Sequence, residues 1–186
     1  MVVLAVAVTA CGEDSEGGGA SVEPEQSQTP EQSAEQSQTS AQSQAAAQPA
    51  EVACGRAFKR PASGDLRLTG RFARRVPAGR PIVNGTVEIT AEKAVRGVAA
   101  AAADAFLVRG GRVVTTPLPQ DAVGVRWDAA AGEKKTVPAV ASLLSCEPGG
   151  EPLAPGDYEL YAAFVLTPDG GAPTTAYGGP WPLTVE

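Results

Sequence analysis

The 186-residue sequence has no histidine. That removes the commonest general base and the usual serine and cysteine catalytic arrangements, and it leaves three cysteines too few ligands for a structural zinc site. Ser-x-x-Lys, the Gly-x-Ser-x-Gly elbow, the phosphate-binding loop and the dinucleotide fingerprint are missing too. Aromatic residues are 5% of the chain, which leaves little to line a small-molecule pocket. The carboxylates Asp157 and Glu159 share one strand face, the pattern of an exposed surface rather than of a glycosidase pair. Neither an enzyme nor a cofactor or metal is expected. No run approaches the about 20 apolar residues that cross a bilayer, and no Lys or Arg precedes Arg56.

What is there begins with MVVLAVAVTACGEDSEGGG. Val2 to Ala10 has the length of a signal-peptide apolar region, and Thr9-Ala10 supplies small residues for cleavage. No base precedes the run, so either a start codon lies upstream or the run is no signal. Val8-Thr9-Ala10-Cys11 resembles the lipobox of bacterial lipoproteins. The resemblance implies that Cys11 is lipidated, becomes the new N-terminus and carries at least two acyl chains. Two chains anchor stably where one holds only marginally. Residues 1–11 are then a lipoprotein signal with its lipidation cysteine, and the protein sits on the extracytoplasmic face of the membrane.

Residues 12–53 are dominated by Gln, Ser, Glu, Ala, Pro and Gly, with a ten-residue near-repeat, EQSQTPEQSA from Glu25 and EQSQTSAQSQ from Glu35. Val22 and Val52 are the only large aliphatics there, too few to offset the entropy of ordering, so a disordered linker is expected. Roughly forty such residues reach about 35–40 Å. Eight of the 21 acids lie before Arg56, which leaves 13 against all 15 bases. The net charge of −6 therefore belongs to the linker, and the remainder is close to neutral.

Three cysteines are an odd number for an exported chain. With Cys11 lipidated, Cys54 and Cys146 remain, to form a disulfide, two free thiols or part of a metal site. The disulfide is expected, because a metal site lacks ligands and an oxidising compartment permits the bridge.

Residues 54–186 read as short apolar strands between Gly, Pro and Asp turns. Leu66 and Leu68 share a face, as do Val83, Val87 and Ile89. Ala105 to Arg109 and Arg112 to Thr116 flank the hairpin signal Gly110-Gly111. Val123, Val125 and Trp127 make another period-two face. Pro138 limits its stretch to an edge or bulge. Tyr158, Leu160, Ala162, Phe164 and Leu166 share a face before Asp169-Gly170-Gly171, and Trp181 to Val185 closes the domain. Ala91 to Asp104 reads as a connection crossing between sheets, with a short helix. The spacing predicts an all-β antiparallel sandwich of about seven or eight strands. Leu153-Ala-Pro-Gly-Asp-Tyr158-Glu-Leu160 resembles the start of the penultimate strand in immunoglobulin-like and fibronectin-like domains. That resemblance gives Tyr158 the role of a tyrosine corner, bonded back to the upstream chain. Cys54 precedes the first clear strand, so the bridge is expected to pin the incoming chain rather than clamp two sheets.

Arg56, Lys59, Arg60, Arg67, Arg71, Arg74, Arg75 and Arg80 fall in one span opposed only by Asp65, and no base follows Lys135. Either the first and last strands neighbour and compensate one another, or Arg71, Arg74 and Arg75 mark a surface for anionic headgroups or polymers. Phe58, Phe72 and Pro77 are interleaved with the bases as in nucleic-acid binders, a partner not expected outside the cytoplasm. The composition is similar to that of actinobacterial lipoproteins. The expectation is a monomeric, membrane-anchored module that meets an envelope protein or anionic polymer. The alternative is a proteinase inhibitor. Phe106 to Thr116 and PGDYELYAAFVL resemble bacterial immunoglobulin-like inhibitor domains, with Thr115-Thr-Pro-Leu-Pro119 as the gripped loop.

Overall fold

The computed structural model describes residues 52–62, 64–120 and 123–186. Cys11, the signal segment and all but the last two residues of the linker lie outside them. The period-two stretches form ten strands: β1 (Leu66–Phe72), β2 (Arg75–Val76), β3 (Ile82–Ala91), β4 (Val95–Ala100), β5 (Ala103–Arg109), β6 (Arg112–Val113), β7 (Gly124–Ala129), β8 (Lys134–Ser142), β9 (Gly156–Pro168) and β10 (Thr174–Val185). They pair in the order β1-β3-β8-β5-β9-β10-β2, with β6 on β5, and β4 joining β7 to the far end of β9. All pairings are antiparallel except β5 with β8 and β2 with β10. The all-β expectation holds as a curled, mixed sheet. The count reaches ten because β2 and β6 are two residues each and the alanine-rich stretch is itself strand.

The curl brings β1 against β10 at two glycines. A Cβ on Gly70 would lie 2.7 Å from the Trp181 ring, and one on Gly178 would lie 2.6 Å from Leu68 Cβ. Only bare backbone lets the limbs close so tightly. Between them lies the main core, where Leu66, Leu68, Val83, Val87 and Ile89 from one limb meet Tyr158, Leu160, Ala162, Phe164 and Leu166 from the other. These are the faces the alternation predicts, because a strand with one buried side must repeat at two.

Two expectations need correction. Ala91 to Asp104 holds no helix: it is the end of β3, all of β4 and the start of β5. Alanine favours helix by tenths of a kcal/mol, a preference outweighed by hydrogen bonding on both edges of β4. Gly97 sits so close to β9 that a Cβ would meet the Thr167 carbonyl oxygen at 2.2 Å. The alanines then form a thin layer, Ala103 and Ala105 beside Ala139 and Ala141 at the short parallel contact. The second correction is the face of Val123, Val125 and Trp127. Only Trp127 is buried; the two valines are exposed because β7 pairs with β4 alone. Pro138 behaves as expected, since β8 borders β3 there and meets β5 only from Ala139 on.

Residues 52–58 form a strap along the β5–β6 hairpin. The Gly55 amide donates to the Val113 carbonyl (2.8 Å), Val113 donates to Arg56 (2.9 Å) and Phe58 donates to Gly111 (2.9 Å). The Phe58 ring then covers the outer face of the second limb, 4.9 Å from Phe106, 4.9 Å from Tyr161 and 5.9 Å from Tyr177. Cys54 is bonded to Cys146 across 92 residues, and the Cys146 amide donates to Val114 (2.9 Å). The bridge fastens the strap and does not join the two limbs' inner faces.

Candidate functional site

Apart from Lys59 and Arg60, which follow Phe58 outside any strand, the registers place the cationic side chains at two ends of the sandwich. Arg75 of β2 lies beside Thr184 of β10, which lies beside Asp157 of β9. Val108 pairs with Glu159, so the hairpin turn after Arg109 falls at that same end. Phe72 pairs with Gly85, and Ile82 with Ser142, which brings the close of β1 and the start of β3 there as well. Arg56, Arg71, Arg74, Arg75, Arg80, Arg109 and Arg112 therefore gather at one end, on four separate stretches of chain.

At the opposite end every base has an acid. Arg67 pairs with Glu92 (2.9 Å), Lys93 with Asp65 (3.0 Å), Arg96 with Asp128 (3.1 Å), Lys134 with Glu88 (2.9 Å) and Lys135 with Glu133 (3.6 Å). Arg126 grips Asp169 through both oxygens at 2.7 Å. That hydrogen bond holds the Asp169 carboxyl below its ordinary range and raises the guanidinium above its own. Glu88 is likewise lowered, first by the Lys134 hydrogen bond and, more weakly, by the charge of Arg71.

At the first end only Arg75 has an ion pair among the described residues, to Glu186 at 3.2 Å. Arg74 contributes its carbonyl to the Thr184 amide (2.8 Å), and its side chain is exposed. Arg112 donates to the Gly55 carbonyl (3.0 Å) and Arg109 to the Tyr158 hydroxyl (3.2 Å), neither of which neutralises the charge. The acids on the neighbouring stretches, Glu147, Glu151, Asp157 and Glu159, form no ion pair there among the described residues. β2 and β10 neighbour one another and Arg75 is compensated by Glu186, while Arg71 and Arg74 have no ion pair among the described residues. Arg109 and Arg112 were missed as members of the group. The Arg109-Gly-Gly-Arg112 hairpin signal sets them side by side and was sufficient to find them.

Tyr158 opens β9, and its hydroxyl donates to the Ala154 carbonyl at 2.5 Å, the back-bond of a tyrosine corner. The Arg109 guanidinium lies 5.0 Å from the centre of its ring, so the corner also supports one of the clustered cations. Thr115 is fully buried, with its hydroxyl accepting the Leu107 amide (2.9 Å), and Thr116, Pro117 and Leu118 are half-buried. The proposed inhibitory loop is packed down rather than raised. A hollow of about 570 Å³ is walled by Arg96, Asp128, Glu133 and Asp169 at the paired end. Its charges already satisfy one another. Among the described residues no three His, Cys, Asp or Glu side chains converge as metal ligands would.

No family model matches the chain, and no curated protein matches it. Among solved structures, the structural-genomics target SoR45 is 12% identical, with a TM-score of 0.41 over 64% of this chain and 86% of its own. A mutant β-glucosidase from Listeria innocua with laminaribiose is 15% identical (TM-score 0.37, 65% of this chain), and a Listeria innocua β-glucosidase with glucose is 14% identical (0.35, 64%). The chain spans only 16% of each glucosidase. Likeness at this level says nothing of activity.

Proposed function

We propose that this chain is a non-catalytic bacterial lipoprotein, anchored at Cys11 on the extracytoplasmic face. Its sandwich offers the cation-bearing end to an anionic polymer of the envelope. One observation supports the reading above others: six guanidinium groups, those of Arg56, Arg71, Arg74, Arg80, Arg109 and Arg112, share one end without an ion pair, while every base at the other end has one. A surface of one sign draws a polyanion by releasing its counterions. The anchor and spacer are supported by the lipobox resemblance and by linker composition. Nothing in the geometry favours the inhibitor reading, because the Thr115–Pro119 segment offers a protease cleft little to grip.

The test is binding of the full chain to a soluble poly(glycerol phosphate) at low and high salt, beside Arg71→Glu/Arg74→Glu and Arg109→Glu/Arg112→Glu. The expected result is salt-sensitive binding that each double variant weakens by about tenfold or more, since every lost phosphate contact also reduces the salt slope by about 0.7–0.9. Binding that is absent, or that survives both substitutions, refutes the cationic end as the site. In-cell crosslinking that captures one envelope protein through the same residues would replace the polymer with that protein.

A further inference from the structure

The β7 strand is an open edge of the sheet among the described residues. The other long edge strand, β1, is covered at Gly70 by the Trp181 ring of β10, whereas nothing comparable covers β7 among the described residues. β7 pairs through Gly124–Ala129 with β4 and with no other strand. Proteins usually blunt such an edge with proline, lysine or a bulge. Gly124-Val-Arg-Trp-Asp-Ala129 has no proline, lysine or bulge, and its two charges, Arg126 and Asp128, are of opposite sign. Apolar side chains crowd the edge instead, with Val98 46%, Val123 67% and Val125 37% exposed.

Its charges say what would fit. Arg126 and Asp128 alternate with buried Trp127, so both project from the outer face. A second β7 adding antiparallel must oppose residues of the same face, which allows few registers. Centring the two-fold axis on Arg126 sets Arg126 against its own copy. Centring it on Asp128 opposes two carboxylates. Centring it on Trp127 sets Arg126 of each chain against Asp128 of the other, and Val125 against Ala129. That register also continues a row already present, since Asp128 is held by Arg96 at 3.1 Å across the β4–β7 ladder. Arg126 is already held by Asp169 at 2.7 Å, so the row would read Arg96, Asp128, then Arg126 and Asp169 of the second copy, with alternating sign throughout.

We propose that β7 is a self-complementary edge through which two copies of this chain join their sheets about Trp127, forming a two-fold dimer. This replaces the monomer expected from the sequence, and it is independent of the polymer-binding reading. The cationic end lies at the opposite end of the sandwich, so both can operate at once.

Sedimentation of the full chain across a wide concentration series tests it. The mass should rise from one copy to two as concentration increases. Arg126→Asp and Asp128→Arg should each remain single at every concentration, because each leaves like charges opposed. Mixing these two variants should restore a dimer, since one then presents two acids and the other two bases. The variant carrying both changes together with Arg96→Asp and Asp169→Arg, which keeps the intrachain pairs in reversed sign, should dimerise alone. A wild-type chain that stays single throughout overturns the proposal, and so does a dimer that persists undiminished in both single variants.

Discussion

The domain holds two apolar clusters that close in different ways. The main core lies between the limbs of the sheet and is lined by residues from nearly every strand. Its walls are hydrogen-bonded to one another, so it cannot open without breaking ladders. The second cluster, Phe106, Val108, Val113 and Tyr161 with Val52 and Phe58 against it, lies on the outer face. One of its walls is sheet, and the other is the strap of residues 52–58. That wall is held by three backbone hydrogen bonds, one ring and one disulfide. The contrast teaches that β9 is buried on both faces through Leu160 to Phe164 for unequal reasons: cooperative pairing on the inside, a single fastening on the outside.

The largest expected effect separates the clusters by depth. Phe164 is fully buried against Trp127, with ring centroids 5.0 Å apart. Phe164→Ala removes the ring from a site no neighbour can refill, and should cost about 3–5 kcal/mol. Denaturant unfolding should show one transition moved to lower concentration, with strap and sheet lost together.

Removing the fastening comes next. In the chain-entropy treatment, a bridge spanning 92 residues contributes about 4–5 kcal/mol as an upper limit. Cys54→Ser/Cys146→Ser should lose less than that, because the strap keeps its hydrogen bonds. The outer cluster should loosen before the main core does. Hydrogen exchange should quicken at the amides of Gly55, Phe58 and Val113 while those of β3 and β8 stay protected. Uniform acceleration across both limbs would show that the two clusters are one cooperative unit.

The difference between the clusters also explains what could be read from the sequence. The main core was legible because period two is a local signal: Val83, Val87 and Ile89, or Tyr158 through Leu166, declare their face without knowledge of any neighbour. The corner at Tyr158 was legible for the same reason, as its partner Ala154 is four residues away. The strap was not. Nothing local in Val52 to Phe58 says that its ring will lie on Phe106, and Phe58 reads equally well as one aromatic among bases. The alanine run misled because helix propensity is local, while the pairing of β4 on both edges joins residues far apart in sequence. The cationic end was half legible. Arg56, Arg71, Arg74, Arg75 and Arg80 fall in one span of sequence, but their sharing an end with Arg109 and Arg112 depends on strand order, which alternation does not fix.

The smallest expected effect is a difference in pH response at the edge of the outer cluster. Asp104 stands on the outer face of β5 and accepts a hydrogen bond from Gln120 at 2.6 Å. Burial raises its pKa above the ordinary value despite that bond. The folded state then holds the proton more tightly than the unfolded chain. Its stabilising share is fully present below the unfolded pKa and fades as pH rises through the folded one. Asp169 and Glu88 act the other way: their ion pairs lower the folded pKa, so their share is present above the unfolded value and is lost as pH falls. Thermal melts through the carboxylate range should therefore show Asp104→Asn gaining over wild type as pH rises, and Asp169→Asn closing its deficit as pH falls. Each shift should be small, since exposed pairs contribute little and salt screens them. Opposite slopes for the two variants would place Asp104 with the desolvated cluster. A flat response of Asp104→Asn would mean that solvent reaches Asp104 freely, and that the strap seals the outer face less completely than its ring contacts imply.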